Sequence, residues 1–395
     1  MRYIFSDRIS GLQPSAIREI LKATSDPSVI SFAAGNPAPE AFPIDDVRRI
    51  TADILESAPI AALQYSITEG YPALRTALTD MLKKRYHIGN EHDGLLVVSG
   101  AQQGIDLATR CLLNEGDTVI CEAPSFIGSL NCFRSYRANL VGVDMDQDGI
   151  NLEKLEEALK NNPNARFIYL IPNFQNPSGI TMSWEKRKAV YELAKRYGVL
   201  ILEDNPYGDL RFSGEHIPAI KTLDTENIVL YCGSFSKILS PGMRVGFVCA
   251  HSDILAKMTV AKQCNDVHTT ILSQMICHKF ITECNLDAHI AKLQAIYRGK
   301  CKLMLDNIER CFHPSVAHTN PEGGLFIWCT LPQSTDMMQF CRTAAQNKVA
   351  VVPGSAFATH DSVVTTSFRL NFSTPTDDKI VEGCTILGKL TNELF

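Results

Sequence analysis

Residues 166–208 read RFIYLIPNFQNPSGITMSWEKRKAVYELAKRYGVLILEDNPYG and contain two strand-like runs on either side of a helical segment. The runs are RFIYLIP (166–172) and VLILED (199–204), and both are almost wholly apolar. The segment between them has helical periodicity, with Ser183 as an N-cap and Gly198 at its end. Apolar strands separated by a helix predict parallel strands in a sheet that is covered on both faces.

The same alternation extends to both sides of this stretch. Four further runs are candidate strands: LLVVSG (95–100), TVICEAP (118–124), NIVLYC (227–232) and RVGFVCA (244–250). The pattern changes near residue 280, where a long helical segment is followed by the short strands GGLFIWCTL and SFRLNFS. We therefore expect an α/β domain over residues 46–280, and a smaller α+β domain formed by residues 1–45 and 281–395. In an α/β sheet, ligands bind beyond the carboxyl ends of the strands.

Composition excludes several classes of protein. The 395 residues have a formal net charge of −5, which does not favour a nucleic-acid or anionic-membrane partner. The N-terminus has no apolar signal-peptide core, and no apolar run reaches the length of a membrane span. The thirteen cysteines form no CxxC pair, so we expect reduced thiols and a cytoplasmic protein. The histidines show no metal-ligand spacing, so we expect no metal site.

Residues 233–247 read GSFSKILSPGMRVGF and place Lys237 shortly after a strand-like run. A lysine that is partly desolvated in a pocket loses its proton more readily and forms a Schiff base with an aldehyde. Ser234, Ser236 and Arg244 flank it, and hydroxyls with an arginine fork are suited to a phosphate. A lysine that bonds an aldehyde next to a phosphate site predicts pyridoxal 5'-phosphate (PLP) as the ligand. A single lysine in a loop is, by itself, more often a solvated surface residue.

Other strand ends supply what PLP requires. Its pyridine nitrogen needs a buried carboxylate, and Asp204 ends an apolar strand. Tyr207 and Asn176 are candidates to hydrogen-bond the phenolate oxygen of the ring. The amides of Ala101 and Gln102, at a strand-to-helix turn, are candidates for the phosphate, and Phe126 is a candidate to stack on the ring. Taken singly, each is at least as well explained as an ordinary turn or core residue, and for Asp204 a strand-end turn is the favoured explanation.

Taken jointly, these motifs resemble the class I/II aminotransferases of fold type I. NPSG, EDNPYG, GSFSK and PGMRVG occur in the family's order and spacing, over nearly the whole chain. The resemblance implies a mainly parallel seven-stranded sheet, catalytic roles for Lys237, Asp204 and Tyr207, and a homodimer in which Tyr65 reaches the phosphate of the neighbouring subunit. It also implies that Arg369, in SFRLNFS, clamps the substrate α-carboxylate.

The N-terminal segment is similar to that of the 2-aminoadipate and kynurenine aminotransferase group. This similarity places Gly35 near the substrate carboxylate, and it makes Arg18 a candidate to meet an acidic substrate side chain, although an exposed helix arginine is an equal alternative. The chain departs from the group where FAAG replaces FAGG and where Phe126 replaces a common tyrosine. Relatives with a winged helix are transcription regulators. This chain begins at the catalytic fold, so we expect an enzyme.

The resemblance implies ping-pong transamination from an L-amino acid to a 2-oxo acid, with 2-oxoglutarate as the expected acceptor. The donor remains open among 2-aminoadipate, glutamate, aromatic and branched-chain amino acids. Two alternatives differ in class: a PLP-dependent lyase or decarboxylase of the same fold, and a non-catalytic amino-acid sensor that binds PLP.

Overall fold

The structure is a computed structural model that describes residues 3–10, 12, 26, 28–332, 335–360 and 362–394. Its strands are, in chain order, β1 (Ile30–Ser31), β2 (Asp93–Val98), β3 (Thr118–Ala123), β4 (Asn139–Asp146), β5 (Gly149–Ile150), β6 (Ala165–Leu170), β7 (Leu200–Asn205), β8 (Val229–Ser234), β9 (Gly246–His251), β10 (Ala317–His318), β11 (Phe326–Thr330), β12 (Val349–Ala350), β13 (Val352–Pro353) and β14 (Ser367–Asn371). Its α-helices are α1 (Asp7–Ser10), α2 (Ile44–Ser57), α3 (Pro59–Leu63), α4 (Pro72–Tyr86), α5 (Ala101–Leu112), α6 (Ile127–Ser135), α7 (Leu152–Asn161), α8 (Trp184–Tyr197), α9 (Ser252–Gln263), α10 (Ile271–Glu283), α11 (Leu286–Cys311), α12 (Met337–Gln346) and α13 (Asp377–Leu394). Within the described residues, no helix combines the length and the apolar character that crossing a membrane would need.

The large sheet has the order β2-β9-β8-β7-β6-β3-β4-β5. Strands β8, β7, β6, β3 and β4 are parallel neighbours, and β9 lies antiparallel between β2 and β8. This confirms a mainly parallel sheet, but the sheet has eight strands and not the seven expected. The additional strand is β5, a two-residue return that pairs antiparallel with β4 at the edge. Strand β4 is not among the strands predicted from apolar runs, because its residues alternate between buried and exposed. This alternation is typical of a strand near the edge of a sheet.

Helices cover the central strands on both faces, which explains their apolar sequences. On β6, Phe167 and Tyr169 belong to the larger hydrophobic core, whereas Ile168 and Leu170 belong to a second core on the opposite face. This alternation follows from the two-residue period of a strand. Helix α8 is capped by the Ser183 side chain, which accepts a hydrogen bond from the Lys186 amide, and it ends at a left-handed glycine, as its sequence predicts.

The strand directions bring the predicted site residues to one edge of the sheet. Six strands run in the same direction, so their carboxyl ends meet there: β2, β3, β4, β6, β7 and β8. Strand β9 runs in the opposite direction, so the loop before it reaches the same edge. Asp204, Ser234 and the turns after β2, β3 and β6 therefore lie close together.

The C-terminal part of the chain forms a smaller α+β unit, as predicted. Its antiparallel sheet has the order β10-β11-β14-β13, and the long helix α11 packs against α13. The N-terminal segment joins this unit because β1 pairs in parallel with β12. Arg369 lies in the middle of β14, beside Trp328 on one neighbouring strand and Val352 on the other. The domain boundaries at residues 45 and 280 stay a prediction.

Candidate active site

A cavity of about 350 Å³ opens at the carboxyl edge of the large sheet, between this sheet and the small unit. Its volume lies in the range typical of small-molecule sites. Twelve of the predicted site residues line it: Gly35, Ala101, Gln102, Phe126, Asn176, Asp204, Tyr207, Ser234, Ser236, Lys237, Arg244 and Arg369. Residues from five strand ends and from the N-terminal segment thus converge on one cavity.

Asp204 has one occupied and one unoccupied carboxyl oxygen. Its Oδ2 accepts a hydrogen bond from the Tyr169 hydroxyl at 2.8 Å. Its Oδ1 is buried and has no hydrogen-bond partner among the described residues. Burial raises the pKa of Asp204 to about 7, against the lowering effect of the Tyr169 hydrogen bond. A buried carboxylate with a free oxygen can bind a protonated ring nitrogen.

Lys237 has an amine that is activated by its surroundings. Its Nζ donates to the Gly35 carbonyl oxygen at 2.6 Å, a neutral partner. Burial, together with repulsion from the charges of Arg369 and Arg244, lowers the pKa of Lys237 to about 8. About a tenth of the amine is therefore unprotonated at pH 7, far more than for a free lysine, and this is the form in which it is a nucleophile or a base.

Arg369 is a buried guanidinium that faces the cavity and makes its hydrogen bonds to neutral groups. Its Nη1 donates to Asn176 Oδ1 at 2.7 Å and its Nη2 donates to the Ala33 carbonyl at 2.6 Å, whereas Nε is buried and has no partner among the described residues. The guanidinium carbon lies 4.3 Å from the Phe326 ring centroid and 5.0 Å from that of Phe357. Burial lowers the pKa of Arg369 to about 10. A guanidinium that is held in place by neutral groups, with no carboxylate partner among the described residues, favours a carboxylate ligand.

Backbone amides and an arginine meet at the start of α5. Gly100 precedes this helix with φ +82°, a backbone conformation that favours glycine, and a Cβ atom there would lie 2.4 Å from Arg244 Nη2 and would displace this guanidinium. Arg244 donates from Nη2 to the Ser99 carbonyl at 3.2 Å. The amides of Ala101 and Gln102 belong to the positive end of the helix, which favours an anion. On the opposite side, Ser234 Oγ accepts from the Ser236 amide at 3.1 Å.

Tyr207 and Phe126 complete the walls of the cavity. Burial raises the pKa of the Tyr207 hydroxyl, against the opposing charge of Arg369, so Tyr207 is a neutral hydrogen-bond donor. Phe126 is the N-cap residue of α6, and its ring packs so closely on Gly128 that a Cβ there would lie 2.6 Å away. Gln102 ties the two helices together by donating from Nε2 to the Gly128 carbonyl at 3.2 Å.

One predicted residue in the described part of the chain, Tyr65, does not line the cavity. Tyr65 is 81% exposed and packs edge-on against His268, with the ring centroids 5.8 Å apart. An outward-facing tyrosine contributes nothing to the cavity of its own chain. Arg18 lies outside the described residues.

Several residues of the site were not predicted from the sequence. Tyr169 and Ser129 form the hydrogen-bonded support of Asp204, and Phe326 and Phe357 enclose the guanidinium of Arg369. The one available signal was the hydroxyl of Tyr169 in an otherwise apolar run, since a buried tyrosine hydroxyl needs a partner. The two phenylalanines are indistinguishable in sequence from ordinary core residues.

The donor set of this cavity is chemically suited to PLP. An orphaned buried carboxylate oxygen, a lysine of lowered pKa and an anion-binding helix start meet the needs of a ring nitrogen, an aldehyde and a phosphate, respectively. A mainly parallel sheet that presents this set at its carboxyl edge defines a PLP-dependent enzyme of fold type I.

Comparison with known proteins identifies the family. The sequence profile of aminotransferase class I and II matches residues 27–387, and the chain belongs to this family. It is similar to aromatic-amino-acid aminotransferase 1 of Thermococcus litoralis, at 40% identity over 98% of this chain and 94% of the relative. Its structure is similar to that of a kynurenine aminotransferase from Pyrococcus horikoshii in complex with PMP, with 38% identity, a TM-score of 0.96 and coverage of 99% of this chain and 97% of that chain. It is also similar to an alpha-aminoadipate aminotransferase from Thermus thermophilus, complexed with N-(5'-phosphopyridoxyl)-L-leucine, with 36% identity, a TM-score of 0.91 and coverage of 99% and 97%. The protein is therefore a PLP-dependent aminotransferase.

Proposed function

We propose that this aminotransferase moves the amino group of an L-amino acid with an acidic, aromatic or branched side chain to a 2-oxo acid, with 2-oxoglutarate as acceptor. The observation that carries the proposal is the convergence on one cavity of Lys237, whose pKa is lowered, with Asp204 and Arg369, each of which has a buried polar atom without a partner among the described residues (Asp204 Oδ1 and Arg369 Nε). The aminotransferases that this chain resembles are named for aromatic amino acids, kynurenine and alpha-aminoadipate.

Lys237 is the proposed catalytic base. Bound PLP supplies an electron sink that acidifies Cα of the amino acid. With a pKa of about 8, the Lys237 amine can accept the Cα proton near neutral pH and release it again, which is the balance that a general acid–base catalyst needs. The 2-oxo acid product leaves before the acceptor binds, so the kinetics are ping-pong.

Asp204, Asn176 and Tyr207 are proposed to hold the ring. The free Oδ1 of Asp204 accepts a hydrogen bond from the ring nitrogen and keeps it protonated. Tyr207 and Asn176 are proposed to bond its phenolate oxygen, and Phe126 to stack on one face. Their support is that all four line the cavity, and that Asp204 has an oxygen with no other partner in the described chain.

The phosphate site is proposed to combine both subunits of a homodimer. Ser234, Ser236, Arg244 and the amides of Ala101 and Gln102 are the ligands from one chain. Tyr65 is proposed to complete the site of the partner subunit. Its support is that Tyr65 is exposed beside exposed apolar residues, Ile60, Leu63, Ile67 and Val267, a patch of the kind that marks a protein interface.

Substrate recognition is proposed to begin at Arg369. Its guanidinium can form a two-pronged bond with the α-carboxylate, while Gly35 leaves room beside it and Asn176 orients it. Arg18 is proposed to meet an acidic side chain. If Arg18→Ala leaves the rate with 2-aminoadipate unchanged relative to leucine, this role of Arg18 is wrong.

A panel of amino donors tests the proposal. The purified protein is incubated with PLP, each donor and 2-oxoglutarate, and both the new 2-oxo acid and glutamate are quantified. Transamination requires equal amounts of the two products over many turnovers and, without acceptor, no more 2-oxo acid than the amount of PLP present. A lyase or decarboxylase would consume the donor without acceptor, and a non-catalytic sensor would consume nothing.

We propose a cytosolic location. All thirteen cysteines lie in the described part of the chain and none is in a disulfide. Free thiols are maintained in a reducing compartment.

A further inference from the structure

Tyr169 hydrogen-bonds Asp204 on the side away from the cavity, and Tyr169 is itself held by a second hydrogen bond. Tyr169 on β6 is fully buried, and its hydroxyl donates to Asp204 Oδ2 at 2.8 Å. Ser129 on α6 is also fully buried and donates from Oγ to the Tyr169 hydroxyl at 2.8 Å. A carboxylate only accepts, so Tyr169 must donate to it, and the tyrosine oxygen is then free to accept from Ser129.

One helix fixes this arrangement at two points. Ser129 and Phe133 are one turn apart on α6, so they lie on the same face. Ser129 holds the hydroxyl of Tyr169, whereas Phe133 packs edge-on against its ring with centroids 5.3 Å apart. The hydroxyl therefore has one position and one orientation. The same helix begins after Phe126, the proposed ring-stacking residue, so the position of α6 affects both contacts.

The arrangement distinguishes the two oxygens of Asp204. Oδ2 is occupied by Tyr169, which leaves Oδ1 as the free acceptor at the cavity. It also opposes the effect of burial, because a hydrogen bond from Tyr169 favours the ionised carboxylate. If Tyr169 were absent, the carboxyl group could rotate or remain protonated, and either change would weaken its bond to a ring nitrogen.

We propose that Ser129 and Tyr169 are positioning residues that aim the free oxygen of Asp204 at the ring nitrogen of the cofactor and keep that carboxylate ionised. This inference rests on the proposed role of Asp204. It assigns a function to two side chains that do not line the cavity.

The test compares two ligands that differ only at the ring nitrogen. Cofactor-depleted protein is titrated with pyridoxamine 5'-phosphate and with its 1-deaza analogue, in which carbon replaces that nitrogen. The amine form avoids the covalent bond to Lys237, so the ratio of the two dissociation constants reports the nitrogen contact alone. The wild-type protein should prefer the nitrogen-containing ligand. Tyr169→Phe, which retains the ring, should reduce that preference about tenfold, since hydrogen bonds to charged groups have this magnitude.

Two further variants make the test specific. Ser129→Ala should reduce the preference in the same direction but by less, because Tyr169 keeps its bond to Asp204. Tyr191→Phe removes the hydroxyl of another buried tyrosine, which bonds to the Thr225 amide in the second core, and it should leave the preference unchanged. If Tyr169→Phe weakens both ligands by the same factor, or weakens neither, the inference is wrong.

A separate variant distinguishes failure of the inference from failure of the proposed function. Asp204→Ala should abolish the preference between the two ligands. If Asp204→Ala leaves the preference intact, then the proposed role of Asp204 is wrong and the inference falls with it. If Asp204→Ala abolishes the preference and Tyr169→Phe does not change it, only the positioning role is overturned.

Discussion

The amine of Lys237 donates to the carbonyl oxygen of Gly35 at 2.6 Å, so the loop after β8 touches a segment that lies 202 residues earlier in the chain. This bond crosses the cavity between the large sheet and the N-terminal segment. Gly35 is confined on its other side, because a Cβ atom there would lie 3.1 Å from the Phe326 ring. The contact places the reactive amine next to the segment proposed to lie near the substrate.

Replacing Lys237 by alanine should abolish transamination. The base for the Cα proton is lost and no other amine lines the cavity among the described residues, so we expect the rate constant to fall at least about a thousandfold. Product formation in the donor assay is the measurement. Lys257→Ala, at an exposed position on α9, is the matched control. A near-normal rate for Lys237→Ala would remove Lys237 from the mechanism.

The reactivity of Lys237 should depend on pH with a midpoint near 8. A free lysine side chain titrates near 10.4, whereas burial and the charges of Arg369 and Arg244 lower the pKa of Lys237 to about 8. The unprotonated fraction therefore increases as pH rises through 8 and is nearly complete one unit above. The rate at which cofactor-free protein covalently captures PLP should rise and level off above about pH 8 to 9.

Arg369→Met provides the internal control for that midpoint. It removes one of the positive charges that lower the pKa of Lys237, so the midpoint of the capture rate should move to higher pH. A midpoint that stays unchanged would show that Arg369 does not contribute to the activation of Lys237. A wild-type rate that continues to rise towards pH 10.5 would show that the lysine is not activated.

Arg369→Lys should impair substrate recognition and spare cofactor binding. Lysine lacks the planar fork that donates to Asn176 and the Ala33 carbonyl, and it cannot form a bidentate bond with a carboxylate. We expect kcat/KM for every donor to fall about a hundredfold or more. The dissociation constant of pyridoxamine 5'-phosphate, measured by titration, should change little. Equal losses in both quantities would indicate a general disruption of the cavity.

Local motifs allowed most of the cavity to be predicted, because each chemical requirement lies within a few residues of a strand end. Lys237 has its phosphate candidates beside it, and Asp204 ends a recognisable apolar strand. The support of Asp204 was not predictable, because Ser129 and Tyr169 are 40 residues apart and meet only through the packing of α6 on β6. Strand β4 was not predicted for a related reason. Its alternation of buried and exposed residues follows from its position near the edge of the sheet, and the order of strands in a sheet cannot be read from the sequence of one strand.

Mixing two impaired variants should restore activity if Tyr65 serves the partner subunit. Tyr65→Ala lacks the proposed phosphate contact, and Lys237→Ala lacks the base. In a mixed dimer, one of the two sites receives an intact Lys237 from one chain and an intact Tyr65 from the other. The mixture, refolded together, should exceed the summed activity of the separate variants. No gain, in a sample shown by mass spectrometry to contain mixed dimers, would contradict the shared site.

The ion pair between the buried Lys262 and the partly buried Asp266 should stabilise the turn before α5. Lys262 has a fully buried side chain and donates to Asp266 Oδ1 at 2.8 Å, while Asp266 Oδ2 accepts from Ser99 Oγ at 2.7 Å. Lys262→Met removes the counter-charge of Asp266, which is partly exposed and keeps its hydrogen bonds from Ser99 and Gln103, so we expect the free energy of unfolding to fall by about 2 kcal/mol. Lys302→Met removes a pair with Asp306 that has the same i,i+4 spacing but is exposed, and it should cost less than about 1 kcal/mol. Chemical denaturation of both variants measures the difference.

Because Ser99 belongs to the proposed phosphate turn, Lys262→Met should also bind PLP more weakly relative to pyridoxal, which lacks the phosphate. An equal loss of affinity for the two ligands would show that Lys262 contributes to stability alone.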